Sequence, residues 1–204
     1  MTPRTTRLVT ALAAIAAIAG CTTTANGTPQ ADPGSEPPRT STAESTSSAS
    51  PTSTKNEAPK VAVPLDASAF LAEPCTSLTS AQLSSFTVNP PGRPHTEPGP
   101  GCGWFGAAQS VAVSWLLGNE GGLSDTYRGR ELEAYFEPTM VEDYPGVFVD
   151  ANDNRATGHC GIVVGVSDTL AFYATVASRL DAEGSCALAK QVAAAAIATV
   201  KEAN

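Results

Sequence analysis

Five cysteines divide this chain, and the role of the first limits what the other four can build. Cys21 closes the run Ile18-Ala19-Gly20-Cys21, at the end of an apolar stretch from Leu8 to Ile18 that follows Arg4 and Arg7. A basic start, a short apolar middle and small residues before a cysteine form a bacterial lipoprotein signal. The pattern predicts that residues 1–20 are a signal peptide and that the mature chain begins at Cys21, its thiol carrying a diacylglycerol and its amine a further acyl chain such as palmitate. Each buried methylene adds about 0.8 kcal/mol of membrane affinity. A retained membrane helix fails on length, because Leu8 to Gly20 spans 13 residues and a crossing needs about 20. No other apolar run is long enough. The expected location is the outer face of the cell membrane, with the membrane itself as a partner through the lipid on Cys21.

With Cys21 assigned to lipid, Cys75, Cys102, Cys160 and Cys186 remain. An even number of cysteines in an exported domain reads as two disulfides. Three pairings are possible and spacing does not choose among them. Cys75 with Cys102 and Cys160 with Cys186 is the favoured set, because each pair lies in its own half of the domain and would staple a helix end to a strand. A metal site at His159 and Cys160 would need further ligands at short spacing, and the chain has no CxxC or HxxxH, so no metal is expected.

From Thr22 to about Pro64 the chain is dominated by Ser, Thr and Pro, with no large apolar residue before Val61. Such a segment cannot bury enough surface to offset its ordering entropy. Residues 21–64 therefore read as a lipidated cysteine followed by a disordered stalk, which as a coil of about 40 residues would reach roughly 35 Å. Its Ser/Thr clusters offer acceptors for O-linked sugars. Residues 65–204 then form one domain. The formal charge of −8 becomes −10 once the signal removes Arg4 and Arg7, which argues against nucleic acid as a partner.

Periodicity in the domain predicts an α+β fold. Thr79 followed by Gln82 is a capping box for a helix reaching about Phe86. Asn89 to Gly101, rich in Pro and Gly, reads as loop. Cys102 to Phe105 and Ser110 to Leu117 read as a hairpin. Ser124 or Asp125 caps a helix carrying Leu132, Tyr135 and Phe136, and Glu137 to Val141 reads as a strand. Pro145-Gly146 suits a type II turn before an extended Val147 to Asp150. His159 to Val166 and Thr169 to Val176 alternate as strands around a Ser167-Asp168 turn, and Ser185 to about Lys201 is an Ala-rich helix. The expected architecture is an antiparallel sheet of about five strands with helices packed mainly on one face.

The run Pro74-Cys75-Thr76-Ser77-Leu78, then Gly101-Cys102-Gly103-Trp104, then His159-Cys160-Gly161-Ile162-Val163-Val164, and Cys186 opening an Ala-rich helix resembles the actinobacterial lipoproteins grouped as domain of unknown function 3558. The resemblance covers most of Pro74 to Val200. It implies an envelope lipoprotein of high-G+C Gram-positive bacteria with two disulfides, and it supplies no catalytic residues and no cofactor.

The residues themselves offer little chemistry. Asp150, Asn152 and Asn154 imitate the start of a calcium loop, but Arg155 stands where a glycine is needed and Gly161 where a bidentate Glu is needed. His95 and His159 lie in no nucleophile motif, and Glu131/Glu133 and Glu142/Asp143 read as solvated faces. The domain is thus expected not to be an enzyme. Trp104, Phe105 and Trp115 fall on neighbouring strands, and Tyr144 and Phe148 flank the Pro-Gly pair. Should one face of the sheet stay uncovered, Trp104, Trp115, Tyr144 and Phe148 would line a groove for an envelope lipid, glycan or peptide. The functional expectation is non-catalytic binding of an envelope ligand or partner, with an accessory subunit of an envelope complex, or a hydrolytic enzyme, as alternatives.

Overall fold

A computed structural model describes residues 57–204. The expected signal peptide, the expected lipidation site Cys21 and most of the segment read as a stalk lie outside the described residues. Packing begins before the Leu65 boundary suggested by composition: Ala58 and Val61 are buried, and the Val61 N–H donates to Asp168 Oδ1 at 3.2 Å. Among the described residues no helix is long and apolar enough to cross a membrane.

Among the described residues, seven antiparallel strands form one sheet in the order β1-β2-β3-β7-β6-β5-β4. They are β1 (Asn89–His95), β2 (Gly101–Phe105), β3 (Ser110–Trp115), β4 (Tyr135–Val141), β5 (Tyr144–Asp150), β6 (His159–Gly165) and β7 (Ala171–Ala177). The helices are α1 (Ser68–Ala72), α2 (Ser80–Ser85), α3 (Leu123–Arg128) and α4 (Ala182–Ala203). The sheet is thus wider than the five or so strands expected. The main addition is β1, drawn from the segment read as loop. A strand containing Pro90, Pro91 and Pro94 survives because it sits at the edge and pairs on one side only, where missing N–H groups cost no ladder bonds. The other edge, β4, carries Pro138, and prolines at both margins discourage pairing with another chain.

Two more differences concern the middle of the chain. The helix expected to include Tyr135 and Phe136 ends at Arg128, and these two aromatics open β4 instead. As strand neighbours they point to opposite faces: Tyr135 stacks on Phe148 with centroids 6.4 Å apart, and Phe136 meets Tyr127 edge-on at 5.1 Å. Pro145-Gly146 is not a turn. The chain reverses at Glu142 and Asp143, both at positive φ, 46° and 68°, with Val141 opposite Tyr144. That is a two-residue hairpin of the mirror-image kind that matches strand twist.

Three helices pack on one face of the sheet. α4 lays Ala189, Val192, Ala193, Ala196, Ile197 and Val200 on β6 and β7, all with no exposed surface. Its alanines let the helix axis approach the strands closely, and its N-terminus is capped by Asp181, whose carboxylate accepts the Gly184 N–H at 2.8 Å. The expected capping box at α2 forms as read, with Thr79 and Gln82 exchanging hydrogen bonds. Both disulfides form in the favoured pairing. Cys75–Cys102 ties the one-turn helix Pro74–Thr76 to β2, and Cys160–Cys186 ties β6 to the first turns of α4.

Candidate functional site

The connection from β3 to β4 builds the site. β3 is third in the sheet and β4 is seventh, so the intervening chain must cross β7, β6 and β5. It crosses on the face opposite α4, carrying α3, whose Leu123 and Tyr127 are buried with Val147, Val149, Val163 and Ala171. This covers only part of that face. Between the crossing segment and the sheet lies a groove of about 610 Å³, floored by Val149, Gly161, Val163, Tyr173 and Thr175 and walled by Asp125, Leu132 and Glu133. A smaller hollow of about 130 Å³ adjoins it, sharing His159, Thr175 and Val176.

Strand register explains why the face is concave. Gly103, Ala112, Thr175 and Gly161 are successive cross-strand partners on β2, β3, β7 and β6. Four small side chains in one row form a trough about 14 Å long at ordinary strand spacing. Glycine is needed at 161, because a Cβ there would stand 2.2 Å from the Tyr173 hydroxyl. The Tyr173 ring therefore lies across Gly161 and forms one side of the groove.

The electrostatics of the groove are acidic. Asp125 is paired with Arg128 and accepts the Gly121 N–H at 2.9 Å. Asp150 accepts the Asn152 and Asn154 N–H groups at 2.9 and 2.8 Å and Asn154 Nδ2 at 3.1 Å, so the calcium-like run is a loop closed on its own carboxylate. Glu133 is partly buried, and its carboxylate makes no hydrogen bond or ion pair with a described residue. Burial, reinforced by the charge of Asp150, raises its pKa. Tyr173 is pushed up to about 12 by burial and then by Asp150 and Glu133. Among the described residues no three His, Cys, Asp or Glu side chains converge as a metal site.

A profile described as "Protein of unknown function (DUF3558)" matches residues 16–199. The chain belongs to that family. No curated protein and no solved structure matches it.

In this DUF3558 domain the aromatic groove expected at Trp104, Trp115, Tyr144 and Phe148 does not form. These residues are 1%, 0%, 4% and 8% exposed and sit in the core on the α4 side. The reason is alternation: Trp104, Trp115 and Phe148 share a face with Cys102, Val113 and Ile162, and that is the face the helices cover. Tyr144 also packs there, its hydroxyl donating to the Val63 carbonyl at 3.0 Å. The aromatic that does line the groove is Tyr173, whose signal in the sequence is its place out of phase with Phe172 and Ala174 on β7. Glu133, read as solvated, and His159 also face the groove.

All four tyrosines of the chain lie in this DUF3558 domain, and burial raises each one: Tyr135 and Tyr173 to about 12, Tyr127 and Tyr144 above their ordinary value of 10.0. Tyr135 is raised further by the hydrogen bond from its hydroxyl to Glu137 at 2.6 Å and is lowered in part by Arg155. The fold therefore favours neutral phenols, and this contribution is complete below about pH 10, where unfolded tyrosine ionises. It is lost as pH rises through the folded values. A phenolate absorbance titration of the native protein should lag behind that of the denatured chain. Coincident curves would mean that the tyrosines are solvated.

Proposed function

We propose that this chain is an exported, lipid-anchored protein of the actinobacterial cell envelope, whose domain binds a small envelope ligand in the open-face groove without chemical turnover. The Arg4-to-Cys21 signal and the family resemblance support the location. The observation that carries the binding reading is the groove itself. Its volume of about 610 Å³ lies within the range of about 300 to 1,000 Å³ usual for ligand sites. It also combines an apolar floor with a few convergent polar groups, the composition such sites share.

The test is native mass spectrometry of the full lipidated chain, extracted from its own membranes, beside the Thr175→Trp variant. Thr175 sits mid-trough on the face opposite α4, so an indole there fills the groove and leaves the α4-side core untouched. The wild-type protein should carry a discrete non-covalent adduct that the variant lacks, at equal thermal midpoints. Adducts identical in both proteins, or absent from both, would sink the reading. The hydrolytic alternative has one observation on its side, the raised Glu133 facing Asp150 across a groove, an arrangement that suits an acid beside an ionised partner. Release of a cleaved product, lost in Glu133→Gln, would replace binding with catalysis.

A further inference from the structure

The groove holds negative charge that the described residues do not balance, and this deepens the binding reading, on which it rests. Of the three carboxylates at its walls, Asp125 has its own cation in Arg128. Asp150 has hydrogen bonds from its loop but no ion pair with a described residue. Glu133, partly buried, has neither. No Lys or Arg lies among the described residues lining the groove. Beside these acids stands Tyr173, whose ring closes over Gly161 and whose hydroxyl makes no hydrogen bond with a described residue.

The chemistry sorts the ligand classes. An anion, such as a phosphate or a fatty carboxylate, would face Glu133 and Asp150 with no cation to offset the repulsion. A bare metal ion finds no set of three ligands among the described residues. A neutral hydroxyl compound supplies donors to Glu133 but leaves the charge of the site uncompensated. An ammonium does both: it carries the missing charge, donates charge-assisted hydrogen bonds to a carboxylate, and can lie against the π face of a tyrosine. Asn119, Thr126, Asn154, His159 and Thr175 add neutral polar or imidazole groups, and the apolar part of the lining is Val149 and Val163 on the floor and Leu132, 79% exposed, at the lip. We propose that the groove binds an organic ammonium with an apolar body, its head between Glu133 and Tyr173 and its body over Val149 and Val163.

Three water-soluble probes of one shape test this on the full chain in a neutral detergent: phenethylammonium, 2-phenylethanol and phenylacetate, measured by calorimetry and saturation-transfer NMR. Phenethylammonium should bind at least about tenfold more tightly than the alcohol, the scale of one hydrogen bond to a charged group, and phenylacetate should not bind. Glu133→Gln should weaken the ammonium by about tenfold while leaving the alcohol unchanged, and Thr175→Trp should abolish binding of the ammonium. Equal affinity for ammonium and alcohol, with no effect of Glu133→Gln, would overturn the charge assignment and leave the groove a binding site. Ammonium binding that survives Thr175→Trp would place the contact elsewhere and overturn the inference. Failure of all three probes beside a native adduct that Thr175→Trp removes would also overturn it, the ligand then being of another class. If that adduct is missing too, the binding reading falls with it.

Discussion

Trp115→Ala should cost about 3 to 5 kcal/mol, the range for deleting a large aromatic from a packed core. Trp115 ends β3 with no exposed surface. It joins three parts of the core: its ring lies 6.2 Å from Phe70 of α1 and 5.3 Å from Phe172 of β7, and its Nε1–H donates to Ser77 Oγ at 3.2 Å. Ser77 is itself fully buried, so truncation leaves both a cavity and a buried hydroxyl without this partner. The two penalties act together. Trp115→Phe keeps most of the volume but loses the donor to Ser77, and should cost about 1 to 3 kcal/mol. Urea denaturation followed by circular dichroism measures both. Since domains of this kind hold about 5 to 15 kcal/mol in total, the alanine variant should approach the folding threshold. A loss below about 1 kcal/mol would mean that the core around Trp115 collapses onto the vacancy at little cost.

This residue also marks the limit of what alternation in the chain reveals. The pattern Val111, Val113, Trp115 identifies one buried face of β3, as Ile162, Val164 and Phe172, Ala174 do for β6 and β7, and these faces are buried together against α4. The pattern does not say which face a helix covers. Trp104, Trp115, Tyr144 and Phe148 were candidates for a groove only on the assumption that the aromatic face stayed open, and α4 closes it. What decides is the order of strands. The jump from third to seventh position sends residues 116–134 over the other face, and no local signal in that segment encodes its length of travel. Tyr135 and Phe136 were legible as apolar but not as strand, because spacing from Leu132 fits a helix equally well until Gly129 ends it.

β1 was illegible for a different reason. Prolines argue against a strand in the middle of a sheet, yet not at its margin, and a margin is defined by partners distant in sequence. Residues whose environment is set locally were read correctly. The Thr79 capping box and most of α4 depend on neighbours within four positions. The two disulfides fall between these cases, since each joins elements about 26 residues apart and the choice among pairings needed the half-domain argument.

Those disulfides carry the second large effect. A Cys160→Ser/Cys186→Ser variant should lose about 3 to 4 kcal/mol, the chain-entropy value for a closed loop of this length. The bond anchors the first turns of α4 to β6, where Ser185 and Ala189 are fully buried, so its loss should show first as faster amide exchange over the N-terminal turns of the helix. Cys75→Ser/Cys102→Ser opens a loop only one residue longer, with sequence separations of 27 and 26. Chain entropy alone therefore predicts equal losses. Any excess for the Cys75–Cys102 variant measures packing, because Cys102 is fully buried beside Trp104 whereas Cys186 lies near the surface of the core, 9% exposed. Reduction of both bonds should remove about 6 to 8 kcal/mol, comparable to the whole stability of a domain of this size. The domain should then unfold on reduction at moderate temperature, read by loss of circular dichroism on titration with a thiol reductant. A reduced domain that stayed folded with an unchanged midpoint would show that the alanine face of α4 holds the sheet without the crosslinks, and that an oxidising compartment is not a condition for folding.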